Sequence, residues 1–222
     1  KMGQKLSRGE DVNESYRIYD FAVSLIISIV FSTMAVMAIP FVKLYTNVVN
    51  DVNYIYPMCA VLISVWAALY SCRIPMTAVI NAAGIYRENR ASNIVNLILQ
   101  VVAGILGALF LGISGVLVVM ILASIQRNIW FAMVNSRCLL HNGVKSNILY
   151  QCAIVLLIVA NGWFATRTIS ELEFTVLLWV VAAVGVFAAE VLICSTAFVA
   201  IDHNSAKLVL RWLKLRSPLK KK

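Results

Sequence analysis

A few polar side chains interrupt long apolar runs of this sequence, and their types are those that bind anions and hydroxyl-rich molecules. Arg73 and Arg127 carry guanidinium groups, and Glu190 carries a carboxylate. An ionisable group is costly in apolar surroundings unless it is paired, so each of these is a candidate for function. Amide side chains both donate and accept hydrogen bonds, which suits hydroxyl-rich ligands. The candidate amides are Asn81, Asn93, Asn96 and Gln100.

Most of these groups fall between Arg73 and Asn96, where a charged residue and a proline stand inside an apolar run. Pro75 removes one backbone hydrogen bond of a helix, and the nearby Arg73 guanidinium can satisfy the carbonyl that is left or point into a cavity. The run ends on Ala-Ala-Gly, and Gly84 suits the left-handed residue that closes many helices. We therefore expect a kinked helix, a turn at Gly84 and a short basic loop.

The amides that follow this loop lie on one side of the next helix. Asn93, Asn96 and Gln100 are spaced i, i+3, i+7, so their side chains form one stripe. Such a stripe can line a cavity for a hydroxyl-rich ligand, or it can form hydrogen bonds between helices. Asn81 precedes the same loop and belongs to the same candidate site.

Two charged residues occur deep in later apolar runs. By residue count Arg127 and Glu190 reach similar depths, so we expect both to face the bundle interior. There they would form an ion pair or offer their charges to a polar substrate. The alternative places Glu190 at the membrane interface, beside Arg137 or Lys207.

The composition places the chain in a membrane. Of its 222 residues 61% are hydrophobic and 13% are charged, with a mean hydropathy of +0.86, whereas a soluble domain has roughly a quarter of its residues charged. Apolar runs of about 20 residues recur without the alternation of barrel strands. The sequence therefore predicts an all-α polytopic transmembrane bundle with six spans. These are residues 18–44, 54–83, 91–111, 115–139, 147–165 and 174–201.

Short connections and positive charges set the predicted topology. Only Gly112, Ile113 and Ser114 separate the third and fourth spans, which must form a tight antiparallel hairpin. Most of the 19 lysines and arginines fall on the side that holds both termini. Because cytoplasmic loops are rich in these residues, both termini of this chain are expected in the cytoplasm.

The tail, residues 202–222, repeats basic and apolar side chains at helical spacing. Such a helix can lie on an anionic membrane surface, or the tail can be a solvated basic segment that fixes topology. The basic face consists of Lys207, Arg211 and Lys214, and the apolar face of Leu208, Trp212 and Leu215.

Signals for catalysis or metal binding are weak. His141 and His203 are isolated, the acidic residues beyond the N-terminal segment come close together only at Glu171 and Glu173, and the sequence has no glycine-rich phosphate loop. The five cysteines occur singly and are interpreted as packing residues. We expect no enzymatic activity, no catalytic residue, no metal and no cofactor. The basic residues lie in loops and in the tail, which argues against a nucleic-acid partner.

Several short motifs occur in order along the first four spans. They are Pro40-Phe-Val-Lys-Leu-Tyr-Thr, Asn50-Asp-Val-Asn-Tyr-Ile-Tyr-Pro, Arg73-Ile-Pro, Ala82-Ala-Gly-Ile-Tyr-Arg-Glu-Asn-Arg and Gly112-Ile-Ser-Gly-Val. Over residues 15–140 the chain resembles the C-terminal half of bacterial Wzx-like polysaccharide flippases, a branch of the multidrug/oligosaccharidyl-lipid/polysaccharide exporter superfamily.

The resemblance implies two six-helix lobes around a cavity that opens alternately to either side of the inner membrane. It assigns residues 1–140 to four helices of the C-terminal lobe, residues 141–201 to an extra terminal helix pair and residues 202–222 to a basic cytoplasmic tail. The chain would then be part of a longer protein that moves lipid-linked sugars. Arg73, Arg127 and the amides would hold the diphosphate and the sugar.

The partners implied by the resemblance are the lipid-linked sugar, membrane lipids, the N-terminal lobe, and polysaccharide polymerase or assembly proteins. Two alternatives remain open from the residues. One is an exporter of drug-like cations, which favours acidic residues in the cavity. The other is a non-transporting scaffold of a polysaccharide synthesis complex.

Overall fold

The computed structural model describes residues 12–46, 56–138, 143–168 and 175–216. These residues form helices and short turns, with no strand among them. Five helical segments among them are long and apolar enough to cross a membrane. The predicted all-α transmembrane bundle is therefore confirmed.

The helices follow the predicted spans with two differences, both at glycine or proline positions. The second span is divided at Cys72 and Arg73 into two helices. The third and fourth spans follow one another with a single non-helical residue, Gly112, between them, and are labelled as two arms of one helix. The helices are α1 (Asn13–Thr46), α2 (Pro57–Ser71), α3 (Ile74–Ala82), α4 (Tyr86–Cys138), α5 (Gly143–Thr168), α6 (Val176–Ile201) and α7 (His203–Arg216).

Helix α4 reverses direction at Gly112. This residue has φ 62° and ψ −144°, a backbone conformation that is not helical and that glycine adopts without a side-chain clash. Gly107 and Gly115 are in contact, although eight residues of straight helix would hold them about 12 Å apart. The arms α4a (86–111) and α4b (113–138) thus form the predicted antiparallel hairpin, and with them the bundle has six spans.

Side-chain contacts define two ends of the bundle. At one end, called the terminal end, the Phe21 ring lies 6.1 Å from Tyr150 and 5.9 Å from Phe198, joining α1, α5 and α6. At the opposite end, called the hairpin end, Cys59 of α2 lies 3.6 Å from Ser114 of α4b. Successive spans therefore run in alternating directions, as six membrane crossings require.

Helix α1 occupies the centre of the bundle, where it packs against α2, α3, α5, α6 and α7. In contrast, α4 and α6 expose many large apolar side chains, among them Phe110 at 81% and Leu177 at 77%. Surfaces this apolar are incompatible with water but match lipid acyl chains. The inner helix carries a row of buried polar groups, Asp20, Ser24, Ser28 and Ser32, whereas α4 and α6 carry most of their large apolar side chains on the surface.

The tail forms helix α7, which docks against the terminal end. Asp202 accepts hydrogen bonds from the Ser205 backbone N–H at 2.9 Å and from the Ser205 hydroxyl at 2.7 Å, so it caps the helix. Tyr150 donates to the same carboxylate at 2.7 Å, and Arg17 lies 3.4 Å from it. Ser205 and Ala206 are buried. The side chains of the predicted tail residues Lys214 and Leu215 lie outside the described part.

We predict that Gly115→Ala destabilises the hairpin by about 1–3 kcal/mol, since overpacking at a close contact has this cost. A β-carbon at Gly115 would lie 2.2 Å from the Gly107 carbonyl oxygen, and backbone cannot move aside cheaply. The measurement is thermal unfolding in detergent. The control is Gly104→Ala, which meets no atom within 4 Å; equal melting temperatures of the two variants would contradict the hairpin contact.

We also predict a pH dependence for the docking of α7. Burial favours neutral Asp202, but hydrogen bonds from Ser205 and Tyr150 and the Arg17 charge outweigh it and lower the pKa from 3.8 to about 2. Because the folded pKa is the lower one, the stabilisation is complete above the ordinary pKa and is lost as the pH falls through about 2.

Asp202→Ala should remove this dependence and weaken the cap by about 0.5–2 kcal/mol. Hydrogen exchange of residues 203–212 reports both effects. Lys207→Ala, at an exposed position of the same helix, serves as the control. Unchanged exchange in Asp202→Ala would mean that other contacts hold α7.

Candidate functional site

The break between α2 and α3 is the local structure that positions the candidate site. Carbonyl groups in the last turn of a helix have no N–H partner within it. Here the Tyr70 carbonyl accepts from Arg73 Nε at 2.8 Å, and the Leu69 carbonyl accepts from Asn128 Nδ2 at 2.8 Å. Pro75, in the first turn of α3, lacks an N–H and keeps the two helices separate. Two side chains therefore replace the hydrogen bonds that the break removes.

Arg73 satisfies a carbonyl as expected, but a different one. The carbonyl four residues before Pro75 belongs to Ser71, whereas Arg73 binds the carbonyl of Tyr70. The guanidinium also lies 3.4 Å from the centre of the Tyr70 ring, and the residue is only 7% exposed. Arg73 is thus buried against Tyr70, in the last turn of α2.

Arg127 is the second guanidinium of the site. It is half-buried on α4b, donates a hydrogen bond to the Asn93 side-chain oxygen of α4a and lies 5.3 Å from the Phe131 ring. It interacts electrostatically with Arg73, and the Tyr70 side chain interacts with both. Within the described ranges the ion pair is that of Arg17 and Asp202, so neither guanidinium has a carboxylate partner there. Two positive charges thus interact with one another, and no carboxylate of the described residues pairs with either.

The predicted amide stripe is divided between different surroundings. Asn93 is exposed and binds Arg127, Asn96 is 8% exposed, and Gln100 is half-buried. Asn81 lies exposed in the last turn of α3. Asn93 of the stripe therefore forms a hydrogen bond between the two arms of α4, whereas Asn96 and Gln100 differ from it in being buried and half-buried.

Several polar atoms on α4 are buried and have no hydrogen-bond partner among the described residues. Asn96 Oδ1, Gln126 Oε1 and Trp130 Nε1 are of this kind, as is Nε of Arg127. A buried polar atom without a partner is costly, and a polar ligand or water is the usual explanation.

Gly84 has φ 74°, which confirms the left-handed turn expected between α3 and α4.

The predicted pairing of Arg127 with Glu190 is wrong. Glu190 is buried, at 4% exposure, as the interior interpretation requires, but its carboxylate accepts from Asn161 Nδ2 at 3.0 Å and lies 3.6 Å from Cys194 Sγ. The reason is helix arrangement: α6 packs on α1, whereas α4 packs on α2, α3 and α5. Similar depth in the membrane does not bring two side chains together when their helices are not neighbours.

A buried carboxylate that the sequence reasoning missed is Asp20 of α1. It is 2% exposed and accepts from Asn147 Nδ2 of α5, at 3.3 and 3.5 Å to its two oxygens. The signal was present in the spacing. Asp20, Ser24, Ser28 and Ser32 recur every four residues, which places them on one face of α1, and all four are buried.

A cavity of about 710 Å³ lies at the hairpin end, between α1, α2 and the turn of α4. Its lining is mostly apolar and includes Met34, Phe41, Ile63 and Leu111, with Ser114 as a polar member. Such a lining suits hydrocarbon rather than sugar or phosphate. The polar candidate site and this apolar cavity are therefore separate features.

Comparison of the chain with protein-family models, with curated proteins and with solved structures finds no match.

We predict that Asn128→Leu destabilises the protein by about 1–3 kcal/mol, the cost of leaving the buried Leu69 carbonyl without a donor. Asn135→Leu is the matched control. Asn135 lies two turns further along α4b and reaches the Met76 carbonyl at the longer distance of 3.5 Å, so its loss should cost less. Chemical unfolding in detergent measures both. Equal costs, or a larger cost for Asn135→Leu, would contradict a special role of Asn128 at the break.

Proposed function

We propose that the chain is part of a flippase that moves a lipid-linked oligosaccharide across the bacterial inner membrane by alternating access. The observation that carries the proposal is that Arg73 and Arg127 interact electrostatically, next to the hydrogen bond from Asn128 to the Leu69 carbonyl that joins α4b to the end of α2, and that neither has a carboxylate partner among the described residues. Two like charges held together in apolar surroundings repel one another. An anion between them removes that repulsion, so a phosphate or diphosphate is the ligand that the arrangement favours.

Buried polar groups on the two arms of α4 support a ligand that continues beyond the phosphate. Asn96 and Gln126 each have a buried side-chain oxygen without a partner, and Trp130 has a buried N–H without one. Sugar hydroxyls donate and accept hydrogen bonds and would satisfy such atoms. The hydrocarbon part of a lipid-linked ligand would stay against the apolar surfaces of α4 and α6.

The proposed orientation has both termini in the cytoplasm, as the excess of basic residues on that side favours. The pair of Arg17 with Asp202, which joins the start of α1 to the start of α7, agrees with termini on one side. In this orientation the α2–α3 break lies in the half of the membrane where a cytoplasmic substrate is accepted. A second lobe of the same protein and polysaccharide assembly proteins are the partners that this function implies.

A specific observation favours a second candidate, an exporter of cationic drugs. Two buried carboxylates, Asp20 and Glu190, lie inside the bundle. Each already accepts hydrogen bonds from an amide, however, whereas the arginines keep positive charge unneutralised by carboxylates of the described residues. The charge balance at the α2–α3 break therefore favours an anionic ligand.

We predict that the protein in detergent binds farnesyl diphosphate more tightly than farnesol, and that Arg127→Ala weakens diphosphate binding by about 10-fold to 100-fold. The range follows from about 1.5–3 kcal/mol for a hydrogen bond to a charged group. Calorimetry measures the affinities. The matched control is Arg167→Ala, which removes an exposed arginine that lies on Trp163 near the hairpin end.

Equal weakening by Arg127→Ala and Arg167→Ala would reduce the effect to general charge and contradict the site. Tighter binding of a hydrophobic cation than of the diphosphate would favour the drug exporter. Vesicles containing the complete protein then separate transport from scaffolding. Unchanged lipid-linked sugar translocation in Arg127→Ala, combined with lost capture of an assembly protein, would favour the scaffold.

A further inference from the structure

We propose that Asp20 takes up and releases a proton inside the membrane, and that a relay of three amides transmits its protonation state to the α2–α3 break. The relay consists of Asn147, Gln151 and Asn128. The proton site stands on the geometry of α1 and α5. Only the consequence for ligand binding at Arg73 rests on the proposed function.

Asp20 lies where a carboxylate is difficult to keep ionised. It is 2% exposed within a membrane-spanning helix, and its oxygens accept from a single amide nitrogen at 3.3 and 3.5 Å. The nearest arginine along α1, Arg17, is directed to Asp202 and Ser205 instead. A proton is the smallest ligand that neutralises such a group, and buried carboxylates in membrane helices serve as proton sites in pumps and transporters.

Among the described residues, the titratable neighbours of Asp20 do not supply a positive charge. They are Tyr16 on α1, Cys72 between α2 and α3, and Tyr150 on α5. Helix α3 has no titratable residue. On the side of α6 and α7 lies the charged group Asp202, which accepts a hydrogen bond from the Tyr150 hydroxyl. When Asp20 takes a proton from hydronium, an O–H bond of the hydronium breaks and one forms on the carboxylate, which leaves a neutral carboxyl and a water molecule; release reverses this step.

The relay has a direction that matches an ionised Asp20. Asn147 donates to Asp20, Gln151 donates to Asn147 Oδ1 at 2.6 Å, and Asn128 donates to Gln151 Oε1 at 3.3 Å. Asn128 also donates to the Leu69 carbonyl at 2.8 Å. Every amide therefore presents its NH₂ group towards the carboxylate, which when ionised only accepts. The relay passes from α1 through α5 and α4b to α2.

Protonation of Asp20 changes what the carboxylate requires of the relay. The new hydroxyl needs an acceptor, and Asn147 provides one only if its amide turns to present oxygen. The turned Asn147 faces Gln151 with its NH₂ group, so Gln151 must turn to present its oxygen. Asn128 must then turn in the same way to accept from the NH₂ group of Gln151. A turned Asn128 places its oxygen against the Leu69 carbonyl, where two acceptors repel. Protonation of Asp20 thereby removes the hydrogen bond that the Leu69 carbonyl accepts at the break.

The carbonyl that loses its donor is next to the one that holds Arg73. Leu69 and Tyr70 are consecutive residues in the last turn of α2, and the Tyr70 carbonyl accepts from Arg73 Nε. Cys72, between α2 and α3, is also close enough to Asp20 to interact electrostatically. A change at Leu69 therefore alters the position of the Arg73 guanidinium, and with it the affinity of the proposed phosphate site.

The geometry favours a proton over a metal cation. No group of three or more His, Cys, Asp or Glu side chains that could hold a metal is present in the described ranges. Hard cations require several oxygen ligands, whereas Asn147 presents its nitrogen to Asp20 and uses its oxygen to accept from Gln151. The carboxylate alone does not make a coordination shell.

The first experiment follows the carboxyl group by infrared spectroscopy on the ligand-free protein in lipid vesicles, titrated from alkaline to acidic pH. The wild type should gain the C=O band of a protonated buried carboxyl that Asp20→Asn lacks and Asp20→Glu restores. Glu190→Gln, at the other buried carboxylate, should leave this band in place. An identical titration in Asp20→Asn would overturn the proton site. Suppression of the band by sodium at constant pH would replace the proton with a metal cation.

The second experiment tests the relay, again without ligand. Hydrogen exchange of residues 69–77, corrected for the intrinsic effect of pH, should change about fivefold or more between the protonated and ionised states of Asp20. Asp20→Asn and Gln151→Leu should abolish the change. The matched control, Asn161→Leu, removes an amide of the same helix that binds Glu190 and should retain it.

In Gln151→Leu the infrared band of Asp20 should persist, since the relay is interrupted beyond the proton site. A pH response of residues 69–77 that survives in Gln151→Leu would overturn the relay. Failure of farnesyl diphosphate to bind would overturn the proposed function and leave both ligand-free results standing. The two proposals therefore fail separately.

Discussion

The structure depends on how the chain satisfies its backbone at the break between α2 and α3. In a bilayer, water does not supply the missing hydrogen bonds, so an interrupted helix needs side chains of the same protein to do so. Asn128 supplies one and Arg73 the other. This requirement explains why a buried arginine and a buried asparagine occur at this level of the membrane.

The same requirement brings chemistry into the bundle. Arg73 is bound at the break through its Nε, and Arg127 on the neighbouring α4b adds a second positive charge. The amide that serves the break, Asn128, is the last member of the chain of amides that begins at Asp20. Backbone satisfaction, positive charge and a buried carboxylate thus belong to one connected set of polar groups, surrounded by apolar helices.

Features that depend on local backbone chemistry could be predicted from the sequence. Pro75 predicted the break because proline fixes φ and lacks an N–H. Gly84 predicted the left-handed turn and the short Gly112-Ile-Ser segment the hairpin, because glycine adopts the positive φ that such turns require. Partner choice could not be predicted. Arg127 binds Asn93 rather than Glu190, since which helices are neighbours and how each is rotated is not contained in the hydropathy of single spans.

Asp20 is an instructive case between these two. Its four-residue repeat with Ser24 and Ser28 marks one polar face of an otherwise apolar helix, which the sequence contains. That this face meets Asn147 and is fully buried depends on the packing of α1 at the centre of the bundle. A polar stripe on an apolar span is therefore a signal for burial, and its partners require the structure.

We propose that the positive charge at the α2–α3 break binds phosphate inside the membrane. The most direct measurement is solid-state NMR of the protein in vesicles with farnesyl diphosphate, through the coupling between arginine side-chain nitrogen and phosphorus. We expect coupling to Arg73 and Arg127, and loss of the Arg127 signal in Arg127→Ala. Coupling to Arg167 alone, or none to either arginine of the break, would contradict it.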